Sequence, residues 1–127
     1  MKFWFDVDKA SITVMARLTG PRGSDIFTLL LDTGAETTVL NPKPMRDLGL
    51  EPLKSAKRVR LVTASGSEIG RNVVVPKFSS LGKTRVNFEI ATLSLPLLVK
   101  ADGVLGLDFF RGLELQINFK TGQIQLK

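Results

Sequence analysis

The sequence predicts a mainly β, barrel-like domain with one or two short helices, and three observations carry that expectation. Short runs of β-branched and aliphatic residues recur along the chain, several of them alternating with period two. Turn clusters containing glycine separate these runs at short intervals. Helical character is confined to two brief stretches. Many short strands joined by tight turns bury their apolar faces best by closing on themselves. With 127 residues, 43% of them hydrophobic, the chain is expected to form a single domain over residues 1–127. No internal repeat, linker or low-complexity segment interrupts it.

The elements follow in order. Residues 11–18 and 26–31 are rich in β-branched and aliphatic side chains, and Thr19-Gly20-Pro21-Arg22-Gly23 separates them, which predicts a hairpin. Val39-Leu40 ends a third short strand. Asn41 can then cap a helix whose first residue, Pro42, lacks the amide hydrogen that would be orphaned there. Gly49 stops that helix, with Met45 and Leu48 on one face and Leu50 packing just beyond.

Val59, Leu61 and Thr63 alternate with Arg58, Arg60 and Val62, the pattern of a strand exposed on one side. Ala64-Ser65-Gly66-Ser67 turns it toward an extended run through Val73, Val74 and Val75, so this region reads as a projecting hairpin. A further pair is expected where Phe78 and the Val86, Phe88, Ile90 series flank a Ser79-Ser80-Leu81-Gly82-Lys83 loop. The remaining elements are a strand at Val104-Leu105, a helical turn from 108 to 111, and a hairpin around Lys120-Thr121-Gly122. Ile117 and Phe119 precede that last turn, and Ile124 and Leu126 follow it.

Composition excludes much chemistry. The chain has no cysteine and no histidine, which removes disulfides, thiolate zinc sites, Ser-His-Asp triads and imidazole bases. Carboxylates, lysines and hydroxyls remain, and neither a metal nor a cofactor is expected. After Met1-Lys2 the apolar run Phe3-Trp4-Phe5 ends at Asp6, too short for a secretory core, so a cytoplasmic protein is expected. No apolar stretch approaches the roughly 18 residues of a membrane span, and no membrane partner is expected. The net charge of +6 is spread along the chain, with local groups at residues 54–60 and 83–85. No recognition motif accompanies it, so specific nucleic-acid binding is not expected.

The segment that carries chemistry is Leu29-Leu30-Leu31-Asp32-Thr33-Gly34-Ala35-Glu36-Thr37-Thr38-Val39-Leu40. An apolar strand here runs directly into an acid and a tight turn. An acid so placed is partly desolvated and needs hydrogen bonds or a neighbour that shares a proton. Gly34 lets the backbone come close to the acid, the Thr33 hydroxyl can fix the turn by bonding to a backbone group, and Ala35 adds no competing donor. Taken alone, Asp-Thr-Gly is also an ordinary polar turn.

This segment resembles the active-site loop of the aspartic proteases, and especially the single-domain, retropepsin-like group of the Asp-Thr-Gly-Ala type. Two further segments resemble the same family in the same order. Val62-Thr63-Ala64-Ser65-Gly66 is similar to its flap hairpin, and Gly103-Val104-Leu105-Gly106-Leu107-Asp108-Phe109-Phe110 to its second signature, two apolar residues before a glycine. Roughly seventy residues separate Asp32 from Val104, and the resemblance spans about residues 11–127.

The resemblance implies a retropepsin-like acid-protease β-barrel and a homodimeric aspartic endopeptidase. Hydrolysis by two carboxylates needs one ionised group to activate water and one protonated group to polarise the carbonyl. A chain with a single such motif obtains the second Asp32 from an identical partner, the two like charges sharing one proton. The implied supports of the loop are Thr33, Gly34 and Ala35. The implied substrate contacts are Glu36, Thr63, Ala64, Ser65 and Gly66, with Val104, Leu105 and Gly106 forming the second signature. The implied partners are a second copy of the chain and a peptide or protein substrate bound as an extended strand.

Two positions depart from the retroviral pattern. Thr37 stands where a second acid is common, and Leu107 where an arginine ties the dimer together, which points to more apolar packing between copies. A non-catalytic peptide-binding or dimerisation module and a basic nucleic-acid-binding barrel remain as alternatives. Dependence of cleavage on Asp32 separates the first from a protease, and a steep salt dependence of binding would mark the second.

Overall fold

Turn residues that fall between alternating runs fold most of this chain into hairpins. The computed structural model describes residues 1–52, 58–63, 66–94 and 100–127. Its elements are β1 (Lys2–Trp4), β2 (Thr13–Gly20), β3 (Gly23–Leu31), β4 (Val39–Leu40), α1 (Pro42–Asp47), β5 (Arg58–Thr63) and β6 (Gly66–Ser80). They continue with β7 (Lys83–Thr92), β8 (Gly103–Leu105), α2 (Leu107–Phe110), β9 (Leu115–Asn118) and β10 (Gln123–Leu126). The mainly β expectation therefore holds, with two short helices among the described residues.

Seven strands form one sheet in the order β2-β3-β8-β4-β7-β6-β5, and β2 also pairs with β6. That extra pairing closes six of them into a barrel and leaves β5 outside the ring. The long strand β6 makes this possible. One of its edges runs along β7 from Arg71 to Ser80. The other edge is divided: residues 66–71 take β5, and residues 77–80 take β2. Pro76, which has no amide hydrogen to donate, lies between the two pairings.

The hairpins are tighter than the sequence pattern implied. Strands β2 and β3 pair from Thr13↔Leu30 to Gly20↔Gly23, leaving Pro21 and Arg22 as the turn. The expected loop at residues 79–83 is instead a two-residue turn. Leu81 (φ 52°) and Gly82 (φ 76°) both take the left-handed conformation of a type I′ turn, whose twist matches the flanking strands. Burial of Leu81 in the core offsets the strain of that conformation. The separate strands expected at Val73-Val75 and at Phe78 are accordingly one strand, β6.

Helix α1 starts at Pro42 as expected, but the Asn41 side chain does not cap it. Its backbone is used instead, the N–H donating to the Asp102 carbonyl at 2.9 Å. Gly49 ends the helix at φ 75°, where an L side chain would be strained, and Met45, Leu48 and Leu50 are all buried. Helix α2 begins one residue earlier than expected, at Leu107.

The main core fills the barrel with Leu18, Phe27, Leu29, Leu40, Phe78, Ile90 and Leu105. Helix α2 adds Phe109, fully buried, with its ring 5.4 Å from that of Phe78. Burying each such ring contributes roughly 2–3 kcal/mol. The Arg85 guanidinium anchors the end of α2 by donating to the Phe109 and Arg111 carbonyls. A second sheet, β1-β10-β9, joins the two ends of the chain and brings Ile124 and Leu126 into the same core. Strand β1 was not expected, since three residues are too few to show a period. Among the described residues no helix is long and apolar enough to cross a membrane.

Candidate active site

Asp32 stands where the apolar strand β3 ends, half-buried, with its backbone N–H donating to the Leu105 carbonyl at 3.1 Å. Its Oδ1 accepts the Gly34 N–H at 2.9 Å. A Cβ added at Gly34 would lie 3.1 Å from that same oxygen, so glycine permits the close approach that makes the bond. The Ala35 N–H donates to the Asp32 carbonyl at 3.2 Å and completes the turn. Among the described residues Asp32 Oδ2 has no hydrogen-bond partner, so one oxygen of a positioned carboxylate remains available for chemistry.

The turn is thus held by main-chain donors. Thr33 lies exposed, and its hydroxyl makes no bond to the backbone among the described residues, contrary to the expectation for it. A hydroxyl at an exposed position is satisfied by solvent and has no drive to bond inward.

The second signature meets this loop directly. Strand β8 runs parallel to β3, with Leu30 opposite Val104 and Leu31 opposite Leu105. The Leu107 N–H donates to the Ala35 carbonyl at 2.8 Å. Gly106 fits beneath the loop because it has no side chain. A Cβ there would come within 2.8 Å of the Ala35 oxygen and of the Thr37 carbonyl carbon. Asp32 through Ala35 and Val104 through Gly106, far apart in the chain, therefore form one structure.

Two residues of this structure were not singled out from the sequence. Thr38 is fully buried, and both its N–H (2.9 Å) and its Oγ1 (2.6 Å) donate to the Asp108 carboxylate. Asp108 Oδ1 also accepts the N–H of Phe109 at 2.9 Å. Thr38 Oγ1 in turn accepts the Gly106 N–H at 3.1 Å. The carboxylate on α2 thereby braces the loop from behind. The available signal was a hydroxyl residue directly before the apolar pair Val39-Leu40, together with an acid in the first turn of a helix.

The expected substrate contacts are placed less completely. Glu36 is exposed in the bend beyond Ala35. Thr63 ends β5 and pairs with Gly66, which opens β6 at φ 127°. Ala64 and Ser65 lie outside the described residues. The hairpin's described links toward the loop are Leu61, which packs with Val39 and Ala91 in a small second cluster, and Val59, which packs against it.

Two other acids near the site, Asp102 and Asp108, have structural partners. Asp102 accepts the Thr28 N–H at 2.9 Å, and Asp108 holds Thr38. Among the described residues no three His, Cys, Asp or Glu side chains form a group that could hold a metal. A cavity of about 270 Å³ lies elsewhere, on the terminal sheet, lined by Gln116, Ile117, Asn118, Gln123 and Gln125, and contains no catalytic group.

Comparison with known proteins agrees with this geometry. The family described as aspartyl protease matches residues 14–109, a span that holds Asp32, the β5–β6 hairpin and Gly106. No curated protein matches the sequence. Among solved structures, the chain is similar to the crystal structure of a retropepsin-like aspartic protease from Rickettsia conorii. The TM-score is 0.70 at 17% identity, over 99% of this chain and 88% of that one. The likeness shows that the barrel is of the retropepsin-like kind.

Proposed function

Because the chain belongs to the aspartyl protease family, we propose that it is an endopeptidase working as a homodimer, each copy supplying Asp32 to one shared site. The observation that carries this reading is the half-buried Asp32 carboxylate. One of its oxygens is held by the Gly34 N–H, and its loop is braced by both β8 and Asp108. A group positioned so firmly, with its second oxygen unpartnered, is suited to hold and move a proton.

In the dimer the ionised carboxylate takes a proton from a water held between the pair. The protonated one donates to the carbonyl oxygen of the scissile bond. The water oxygen bonds to the carbonyl carbon, giving a tetrahedral diol. Transfer of a proton to the peptide nitrogen then lets the C–N bond break. Two carboxylates so close share one proton, and the aspartic-protease dyad is the standard illustration of this. The substrate lies extended, with Glu36 and the main chain of residues 63–66 as its contacts and the β5–β6 hairpin acting as a flap.

Asp32→Asn tests the proposal, since it keeps the side chain's size but removes the exchangeable proton. We expect cleavage of a peptide library to fall on the order of 10³-fold or more, with fold and dimer retained. A transition-state mimic carrying a hydroxyl in place of the water should bind the wild-type dimer and weaken on dilution. Cleavage by the asparagine variant at the wild-type rate would reject Asp32 as the catalytic group.

A further inference from the structure

Thr28 and Asn41 bracket the stretch of chain that carries Asp32, and both bond to one distant residue, Asp102. The Asp102 N–H donates to the Thr28 carbonyl at 2.8 Å, and Asp102 Oδ2 accepts the Thr28 N–H at 2.9 Å. The Asp102 carbonyl accepts the Asn41 N–H, also at 2.9 Å. One residue thereby closes the base of the segment, while Asp108 braces it near its far end through Thr38.

Asp102 directly precedes β8, whose parallel ladder with β3 is short: Leu29 pairs with Gly103, Leu30 with Val104 and Leu31 with Leu105. Parallel pairing is the weaker kind per residue, and a slip of one residue turns every side chain to the opposite face. The ring of two bonds between Thr28 and Asp102 extends the ladder by one position in the same register. On its other side β8 pairs with β4, and a Cβ on Gly103 would meet the Val39 carbonyl oxygen and the Leu40 backbone. That register sets the site, because the Leu105 carbonyl receives the Asp32 N–H and Gly106 lies beneath the loop.

Stability alone gives the Asp102 side chain little reason to be there. Thr28 and Asp102 are only half-buried, so water can replace much of the carboxylate's bond to the Thr28 N–H. Water cannot fix the register of β8 against β3. We infer that Asp102 is a positioning residue for Asp32, acting through β8 rather than on the reacting atoms. This rests on the protease reading above and adds the residue that keeps its carboxylate in place.

The test compares wild type with Asp102→Ala and Asp102→Asn on a peptide that the wild type cleaves. Circular dichroism and sedimentation give the folded, dimeric fraction, so that rates are counted per folded dimer. Asparagine keeps an acceptor oxygen for the Thr28 N–H, and alanine does not. In Asp102→Ala kcat should fall at least about tenfold with KM changed less than about threefold, since a displaced catalytic group loses rate rather than binding. Asp102→Asn should recover most of that loss. Should Asp102→Ala fail to fold, Asp102→Glu takes its place: it keeps the charge but shifts the acceptor by one methylene, and should lose kcat in the same way.

Amide hydrogen exchange gives a reading that does not depend on cleavage. The Asp32 and Leu107 amides should exchange at least about tenfold faster in Asp102→Ala, return toward wild type in Asp102→Asn, and leave the β6–β7 ladder unchanged. Wild-type kcat in the folded alanine variant, an equal loss in Asp102→Asn, or unchanged exchange at Asp32 and Leu107 would each overturn the inference. If the wild type cleaves no peptide, the protease reading falls and the exchange pattern alone decides whether Asp102 holds the loop.

Discussion

The Asp32 loop and the β5–β6 hairpin are built in opposite ways. The loop is tied by hydrogen bonds to segments roughly seventy residues distant: Asp32 to Leu105, Ala35 to Leu107, and Thr38 to Asp108. The hairpin is held by its own register, with Val59 and Leu61 as its described apolar anchors. The proposed proton transfer would tolerate little displacement of the carboxylate, and Asp32 sits where the fold is cross-braced. Strand β5 lies outside the closed ring, so the hairpin has fewer distant ties and can open more readily.

The largest expected effect comes from removing the brace. Asp108→Ala leaves the buried N–H and hydroxyl of Thr38 without acceptors and should destabilise the fold by about 3 kcal/mol in chemical denaturation. Asp108→Asn, which keeps one acceptor oxygen, should lose less. A change in Asp108→Ala below about 1 kcal/mol would mean that the loop is held by β8 alone.

Gly106→Ala should rank next, at about 2 kcal/mol. Its Cβ meets the Ala35 and Thr37 backbone rather than a flexible side chain, so the loop itself must shift. Peptide cleavage should fall more steeply than stability in this variant, because the displaced loop carries Asp32. Equal losses of both would show a purely structural role.

For the hairpin, Leu61→Ala should cost about 1 kcal/mol globally, since its cluster is small. Hydrogen exchange in residues 58–63 and 66–71 should nevertheless quicken, while the amides of residues 29–32 keep their protection. If both regions open together, the contrast between them is lost. The smallest effect is expected for Arg60→Gln, an exposed position, with stability within about 0.5 kcal/mol of wild type.

Much of this arrangement could be read without coordinates. Asp32 and Gly34 stood out as an acid and a glycine at the end of an apolar strand, and Gly106 through the resemblance of its segment to the family's second signature. The alternation in β5, Pro42 at the start of α1 and Gly49 at its end are local patterns as well. Each depends on residues within a few positions of one another, where backbone sterics and side-chain period act directly.

What the sequence by itself determined, then, was where most of the strands lie, roughly where the chain turns between them, and which acid follows directly on an apolar strand. Tertiary structure alone decided that β6 divides one edge between β5 and β2, so that six strands close and one remains outside. It also decided that β1 joins β10 and that Asp108 reaches Thr38. The physical reason is the range of the interactions. Strand partners and buried carboxylate contacts are chosen by competition among distant segments for a shared core and for unsatisfied donors, and no local pattern records which competitor wins.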